Sequence, residues 1–265
     1  MDMLNFTSIQ AANADPVCAA IADYVGKQVG LKSDFFAPEI WQQRERAFDA
    51  DEAQVCWMCG AVYVRKLRRA EADVELLAAP VMAAPRYEKR PVYFSDVIVR
   101  TDSGFQSFSD LRGARWAYNE PHSHSGYTVT RWYLAGHGYG NGFFGLALGS
   151  GAHQRSLQLV LAGEVEATAI DSTVLETELA RNPQLASQIR VIETFGPSPI
   201  PPWVMHAHLP AELKAALRQA FSEMDHNEAG RSILAMGQID HFAPVNDSDY
   251  DPIRTMTDLA QTVTL

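Results

Sequence analysis

Apolar positions along this chain follow two different periods in turn. Short apolar runs of strand length fall at residues 4–9, 33–36, 54–58, 74–79 and 93–99. Between them lie segments whose apolar residues recur at helical spacing. The first is opened by Asp15 as cap and Pro16 in the first turn, and Val17, Ala20, Ile21, Tyr24 and Val25 form its inner face. Helices are predicted again over 41–48 and from residue 60. Further along, a short helix at 109–113 ends on Gly113, a strand follows at 115–118, and a helix runs to Leu134. Helix 152–161, strand 167–170, helix 175–180 and strand 189–193 continue the alternation. Strand 203–206 and an amphipathic helix over 210–224 come next, the latter aligning Leu213, Ala216, Leu217, Ala220, Phe221 and Met224. A polar loop and a last helix near 253–259 close the chain. Strand and helix in this order predict an α/β fold with a largely parallel sheet. The glycine-dense stretch 136–145 reads as a flexible surface loop.

Residues 95–198 make a self-contained α/β unit, the second lobe, inserted between residues 1–94 and 199–265, which together form the first lobe. Both connections are extended, and the return through Phe195-Gly196-Pro197-Ser198-Pro199-Ile200-Pro201-Pro202 is dense in proline. Two lobes joined by a two-strand hinge leave an interlobe cleft that closes over a ligand.

The 265 residues, 47% of them hydrophobic, suffice for a substantial core. With 32 acidic and 22 basic side chains the formal net charge is -10, which argues against nucleic acid as a partner. It does not argue against a small anion, because a local nest of amides overrides a distant, screened net charge. No apolar run is long enough to span a bilayer. No secretory signal is visible, so two compartments stay open: cytoplasmic if the sequence is complete, periplasmic or an extracellular lipoprotein if a signal was removed.

The chemistry concentrates in one run, Asn119-Glu120-Pro121-His122-Ser123-His124-Ser125-Gly126-Tyr127, a hydroxyl-rich turn leading into a helix. Such a junction offers hydroxyls and unpaired first-turn amides to an oxyanion. Gly149-Ser150-Gly151-Ala152-His153 is a second junction of this kind, and Asp171-Ser172 ends an apolar strand soon after. Ser123, Ser125 and the Gly126 and Tyr127 amides are the candidate oxyanion donors, with His124 and His153 beside them. Asp171 is the acceptor for a protonated ligand oxygen or an amine. Trp57, Tyr63 and Tyr93 are candidates for packing against an organic group. Cys56-Trp57-Met58-Cys59 has redox spacing, but buried cysteines that pack as small hydrophobes explain it better. No cofactor or metal is indicated. Adjacent Ser and His side chains make a poor nucleophilic pair, and neither a Gly-x-Gly-x-x-Gly nor a Walker A loop is present. The pattern points to a binding module rather than an enzyme.

The chain resembles the phosphate, phosphite and phosphonate substrate-binding proteins of ABC transporters, which have the type II periplasmic binding fold. Four segments carry the resemblance: 109–113, 121–127, 149–157 and 162–172, with 198–202 matching the return crossing. It implies that Ser123, His124, Ser125 and Gly126 bind phosphonate or phosphate oxygens, that His153 and Asp171 complete the site, and that Trp57 or Tyr63 supplies a first-lobe aromatic. It also implies a transporter permease as partner. His124 stands where the family has Ser or Thr. The alternative is a cytoplasmic enzyme on the same bilobed fold acting on a carboxylate or heterocyclic metabolite.

Overall fold

The computed structural model describes residues 3–69 and 73–265. In chain order the elements begin with β1 (Met3–Ser8), α1 (Asp15–Val29), β2 (Lys32–Phe36), α2 (Trp41–Asp49), β3 (Val55–Trp57), α3 (Gly60–Leu67) and β4 (Glu75–Met82). Then come β5 (Val92–Arg100), β6 (Arg115–Tyr118), α4 (Val129–Gly136), β7 (Leu146–Gly149), α5 (His153–Leu161), β8 (Ala167–Asp171), α6 (Ser172–Arg181) and β9 (Ile189–Pro199). The chain ends with β10 (Trp203–Met205), α7 (Ala211–Ser222), α8 (Glu228–Met236), β11 (Ile239–Ala243) and α9 (Asp251–Ala260).

Two compact units result. The first comprises the chain up to Val92 and Pro199–Tyr250; the second comprises Tyr93–Ser198 and Asp251–Leu265. The chain thus crosses between units three times, not twice. The third crossing corrects the placement of residues 251–265 in the first lobe. The cause is the apolar face of α9: Ile253, Met256 and Ala260 are buried, α9 packs on α4, and Arg131 Nε donates to Val263 O at 2.6 Å.

The first unit holds a six-stranded sheet in the order β11-β4-β10-β3-β1-β2. β1 pairs in parallel with β2 and β3, but β10 runs antiparallel to both β3 and β4, and β11 antiparallel to β4. The second unit holds a five-stranded sheet, β7-β6-β8-β5-β9. There β6 is parallel to β7 and β8, while β5 opposes β8 with Ser95 across from Asp171. Both sheets are therefore mixed rather than largely parallel, because of the strands adjoining the crossings: β10 runs against β3 and β4, and β5 against β8.

In the first unit the indoles of Trp57 and Trp203 stack with centroids 5.7 Å apart, and Trp203 also lies against Phe221. In the second, Phe108 stacks on Phe143 and Trp116 on Phe144, with Phe195 edge-on to Phe108. Phe143 and Phe144 come from the glycine-dense stretch expected to be a flexible loop. Burial of these two rings fixes it to the core, and at Gly145 a Cβ would lie 2.4 Å from Gly113 O, so the approach of the two backbones requires glycine.

Candidate functional site

In the second unit β6 delivers the chain into residues 119–123, which turn into α4 through one wide π turn, His124–Thr128. Ser123 caps it: its Oγ accepts from Gly126 N at 3.1 Å, and its carbonyl accepts from Thr128 N and Oγ1, both at 3.1 Å. The Gly126 amide, expected to face a ligand, is thus engaged by Ser123. Gly126 itself is required by space. A Cβ there would lie 2.0 Å from Asn119 Oδ1 and 3.2 Å from His153 Cε1.

The two serines and the second junction meet here. Ser125 Oγ lies 3.0 Å from His153 Nε2 and 3.5 Å from Ser123 Oγ. His153 is the first residue of α5. The rest of its junction is tied up locally: Ser150 and Gly151 amides donate to Tyr118 O and Asn119 O at 2.8 Å, and Ser150 Oγ lies 2.6 Å from Ser156 Oγ. Of the second junction, His153 is the side chain hydrogen-bonded to the first.

His124 turns the other way. Its Nε2 lies 3.0 Å from Ser198 Oγ, and its ring centroid is 6.3 Å from that of Tyr93. His124 is 0% exposed, Ser125 4%, and His153 and Asp171 6% each. Burial holds both imidazoles down to about 4, so both are neutral at physiological pH. Nδ1 of each is buried without a hydrogen-bond partner.

Asp171 ends β8, which packs beside the π turn. Its Oδ1 accepts from Thr173 N at 2.9 Å and Thr173 Oγ1 at 2.7 Å, capping α6. Burial pushes its carboxyl up to about 6, the Asp96 carboxylate adding to the rise while the Thr173 bonds oppose it. Tyr127 is half-buried, its ring 4.9 Å from that of Tyr118 with the Arg131 guanidinium 5.0 Å away.

The aromatic candidates lie in packed surroundings. Trp57 Nε1 donates to Pro201 O at 2.8 Å, and Tyr63 hydroxyl donates to Asp247 Oδ1 at 2.9 Å beside Tyr250. Tyr93 is buried against His124. Sequence reasoning passed over Ser198, Asn119 and Thr173. Asn119 stands inside the hydroxyl-rich run, and Thr173 sits two residues after Asp171, the Asx-turn spacing. Ser198 carries no local signal, since 74 residues separate it from His124. Cys56 is buried in β3, and burial pushes its thiol upward, the opposite of what a redox pair requires.

Known proteins resemble this chain over most of its length. Residues 8–250 match the family model for the ABC transporter phosphonate periplasmic substrate-binding protein. Among solved structures, the binding protein component of an ABC phosphonate transporter from Pseudomonas aeruginosa is 22% identical with a TM-score of 0.85, over 98% of this chain and 86% of that one. PhnD1 from Prochlorococcus marinus, in complex with methylphosphonate, is 18% identical with a TM-score of 0.84, over 99% of both chains. A Xanthomonas citri protein bound to ATP is 15% identical with a TM-score of 0.76, over 98% of both. At these identities the likeness is one of fold, the type II periplasmic binding architecture. The family match extends through both units and includes the hydroxyl-rich turn, His153 and Asp171, and by it this chain belongs to the phosphonate-binding family of ABC-transporter periplasmic substrate-binding proteins.

Proposed function

We propose that this protein captures a small phosphorus oxyanion, a phosphonate, phosphite or phosphate, at the start of α4 and hands it to an ABC-transporter permease outside the cytoplasmic membrane. The observation that carries the reading is the buried contact between Ser125 Oγ and His153 Nε2 at the mouth of a helix. With neutral His153 donating from Nε2, the Ser125 hydroxyl hydrogen is directed away from His153 and toward a ligand oxygen. Ser123 Oγ accepts from Gly126 and retains its own hydrogen for the same purpose. The first-turn amides of Ser125 and Tyr127 add to this, as helix starts do for anions. His124, bonded to Ser198, braces the turn from behind.

Asp171 sets the class of anion. A carboxylate beside the turn accepts a hydrogen bond from a protonated ligand oxygen and repels a ligand with no proton to give. Phosphonate and phosphate carry such a proton near neutrality, whereas sulfate does not. The enzyme alternative gains no support from the family, whose members are transport components.

The test is isothermal titration with phosphate, phosphite, methylphosphonate, 2-aminoethylphosphonate and sulfate. Saturable heat is expected with at least one phosphorus oxyanion and none with sulfate. Ser125→Ala should weaken that binding by roughly 10- to 100-fold, the worth of one hydrogen bond to a charged group, with the thermal midpoint little changed. Silence across the phosphorus panel from folded protein, or an unchanged affinity in Ser125→Ala, overturns the assignment.

A further inference from the structure

A second cluster of chemistry lies wholly within the first unit. Asp73, His206 and His208 bring one carboxylate oxygen and two imidazole nitrogens within 4.8 Å of one another, and they are the group of that composition found among the described residues. His206 and His208 follow β10 as His-Ala-His, on the side away from the Pro199–Pro202 crossing. Asp73 precedes β4, the neighbour of β10 in the sheet.

The hydrogen-bond inventory is what makes this cluster unusual. His206 Nε2 lies 2.9 Å from Phe48 O, and a carbonyl only accepts, so Nε2 carries hydrogen. His206 Nδ1 lies 3.0 Å from both Asp73 O and Asp73 Oδ2, which also only accept. His208 repeats the arrangement: Nδ1 contacts the same Asp73 Oδ2, and Nε2 is 3.3 Å from Asp51 Oδ2. In both rings, then, Nε2–H is oriented by a backbone carbonyl or a carboxylate, and the two Nδ1 atoms converge on one carboxylate oxygen. A neutral imidazole would set its Nδ1 lone pair against that oxygen. One cation placed among the three atoms satisfies both lone pairs and the carboxylate oxygen together.

We propose that Asp73, His206 and His208 bind a first-row transition-metal dication of the zinc class through Asp73 Oδ2 and the two Nδ1 atoms. Phe48 O and Asp51 act as the outer partners that metal-bound histidines characteristically have on their other nitrogen. The donor set of two imidazoles and one carboxylate suits zinc, nickel or cobalt and not magnesium or calcium, which prefer all-oxygen sites. Tetrahedral zinc places its ligand atoms about 3.3 Å apart, and Asp73 Oδ2 and His206 Nδ1 are already 3.0 Å apart. His208 is half-exposed, so its ring has room to swing outward by the small distance required. Three protein ligands leave one position for water. The bound ion would tie together the turn after α2, the entry to β4 and the exit of β10.

The experiment is titration of zinc ion into the EDTA-treated, dialysed full-length protein, followed by calorimetry and by the visible spectrum of the cobalt-loaded form. One zinc per chain is expected, with a raised thermal midpoint and d–d bands for cobalt. His208→Ala removes a half-exposed ligand and leaves the core intact, and it should weaken zinc at least 100-fold and abolish the cobalt bands. Asp51→Asn should weaken zinc about tenfold. No saturable zinc binding by the parent protein overturns the proposal in favour of a plain ion-pair network. Binding that survives His208→Ala undiminished also overturns it, by assigning the metal to other surface histidines.

Discussion

Mild acid is expected to destabilise this protein through the two histidines of the anion junction. His124 and His153 are held down to about 4 from an ordinary 6.5 by burial alone. Below pH 6.5 the unfolded chain takes up protons that the folded chain refuses until about pH 4, so the stability present above pH 6.5 is lost as pH falls through that window. Between pH 7.5 and pH 5, linkage gives a loss of about 2 kcal/mol for each histidine. Asp171 acts in the opposite sense. Its folded value is raised to about 6 from 3.8, so its contribution is present at low pH and lost as pH rises through 6, which offsets roughly 1 kcal/mol over the same interval. The net loss from the three groups is about 3 kcal/mol, a large part of a typical domain's stability. The assay is urea unfolding at the two pH values in parent protein, His153→Gln and Asp171→Asn. Glutamine keeps a hydrogen-bonding partner for Ser125 and removes the proton site. It should shrink the pH-dependent loss by about 2 kcal/mol, whereas Asp171→Asn should enlarge it by roughly 1 kcal/mol. Because each variant is compared with itself at two pH values, titration elsewhere cancels. A pH-dependent loss unchanged in His153→Gln, at equal urea slope, would refute the claim that this ring is buried and neutral.

Three further outcomes are expected. Gly126→Ala forces Asn119 aside and should cost about 1–3 kcal/mol by overpacking, and adding Asn119→Ala to it should recover most of that loss, as measured by urea unfolding. Phe144→Ala should cost about 3–5 kcal/mol and increase protease cleavage within residues 136–145, because stacking on Trp116 is what holds that stretch. In native protein a maleimide should label half-buried Cys59 well before Cys18 or Cys56, whose thiols burial pushes upward; equal labelling of all three, read by mass spectrometry, would contradict the packing described.

Local signals carried much of this protein. Helical periodicity marked α1 and α7, Asp15-Pro16 marked a helix start, and the run from Asn119 to Tyr127 marked the anion junction, because each depends on neighbours a few residues away. The short edge strands β7 and β11 escaped notice, since four or five residues of strand are set by the partner they pair with rather than by their own pattern. The glycine-dense stretch is the loop its composition signals, but the burial of Phe143 and Phe144 was not legible in it, because that depends on Trp116 and Phe108 waiting in the core. Residues 251–265 were placed in the wrong unit because an amphipathic helix does not specify which apolar surface it will cover. Within the site, the sequence by itself determined the chemical types, hydroxyls, imidazoles and a carboxylate at turn and strand ends. Tertiary structure decided their assignments. It set Ser125 against His153 from 28 residues away and His124 against Ser198 from 74, and it removed water from both rings so that they are neutral. It also brought Asp73 to His206 across 133 residues. Pairing, burial and protonation are properties of distances between remote segments, and those distances exist only once the two sheets have formed.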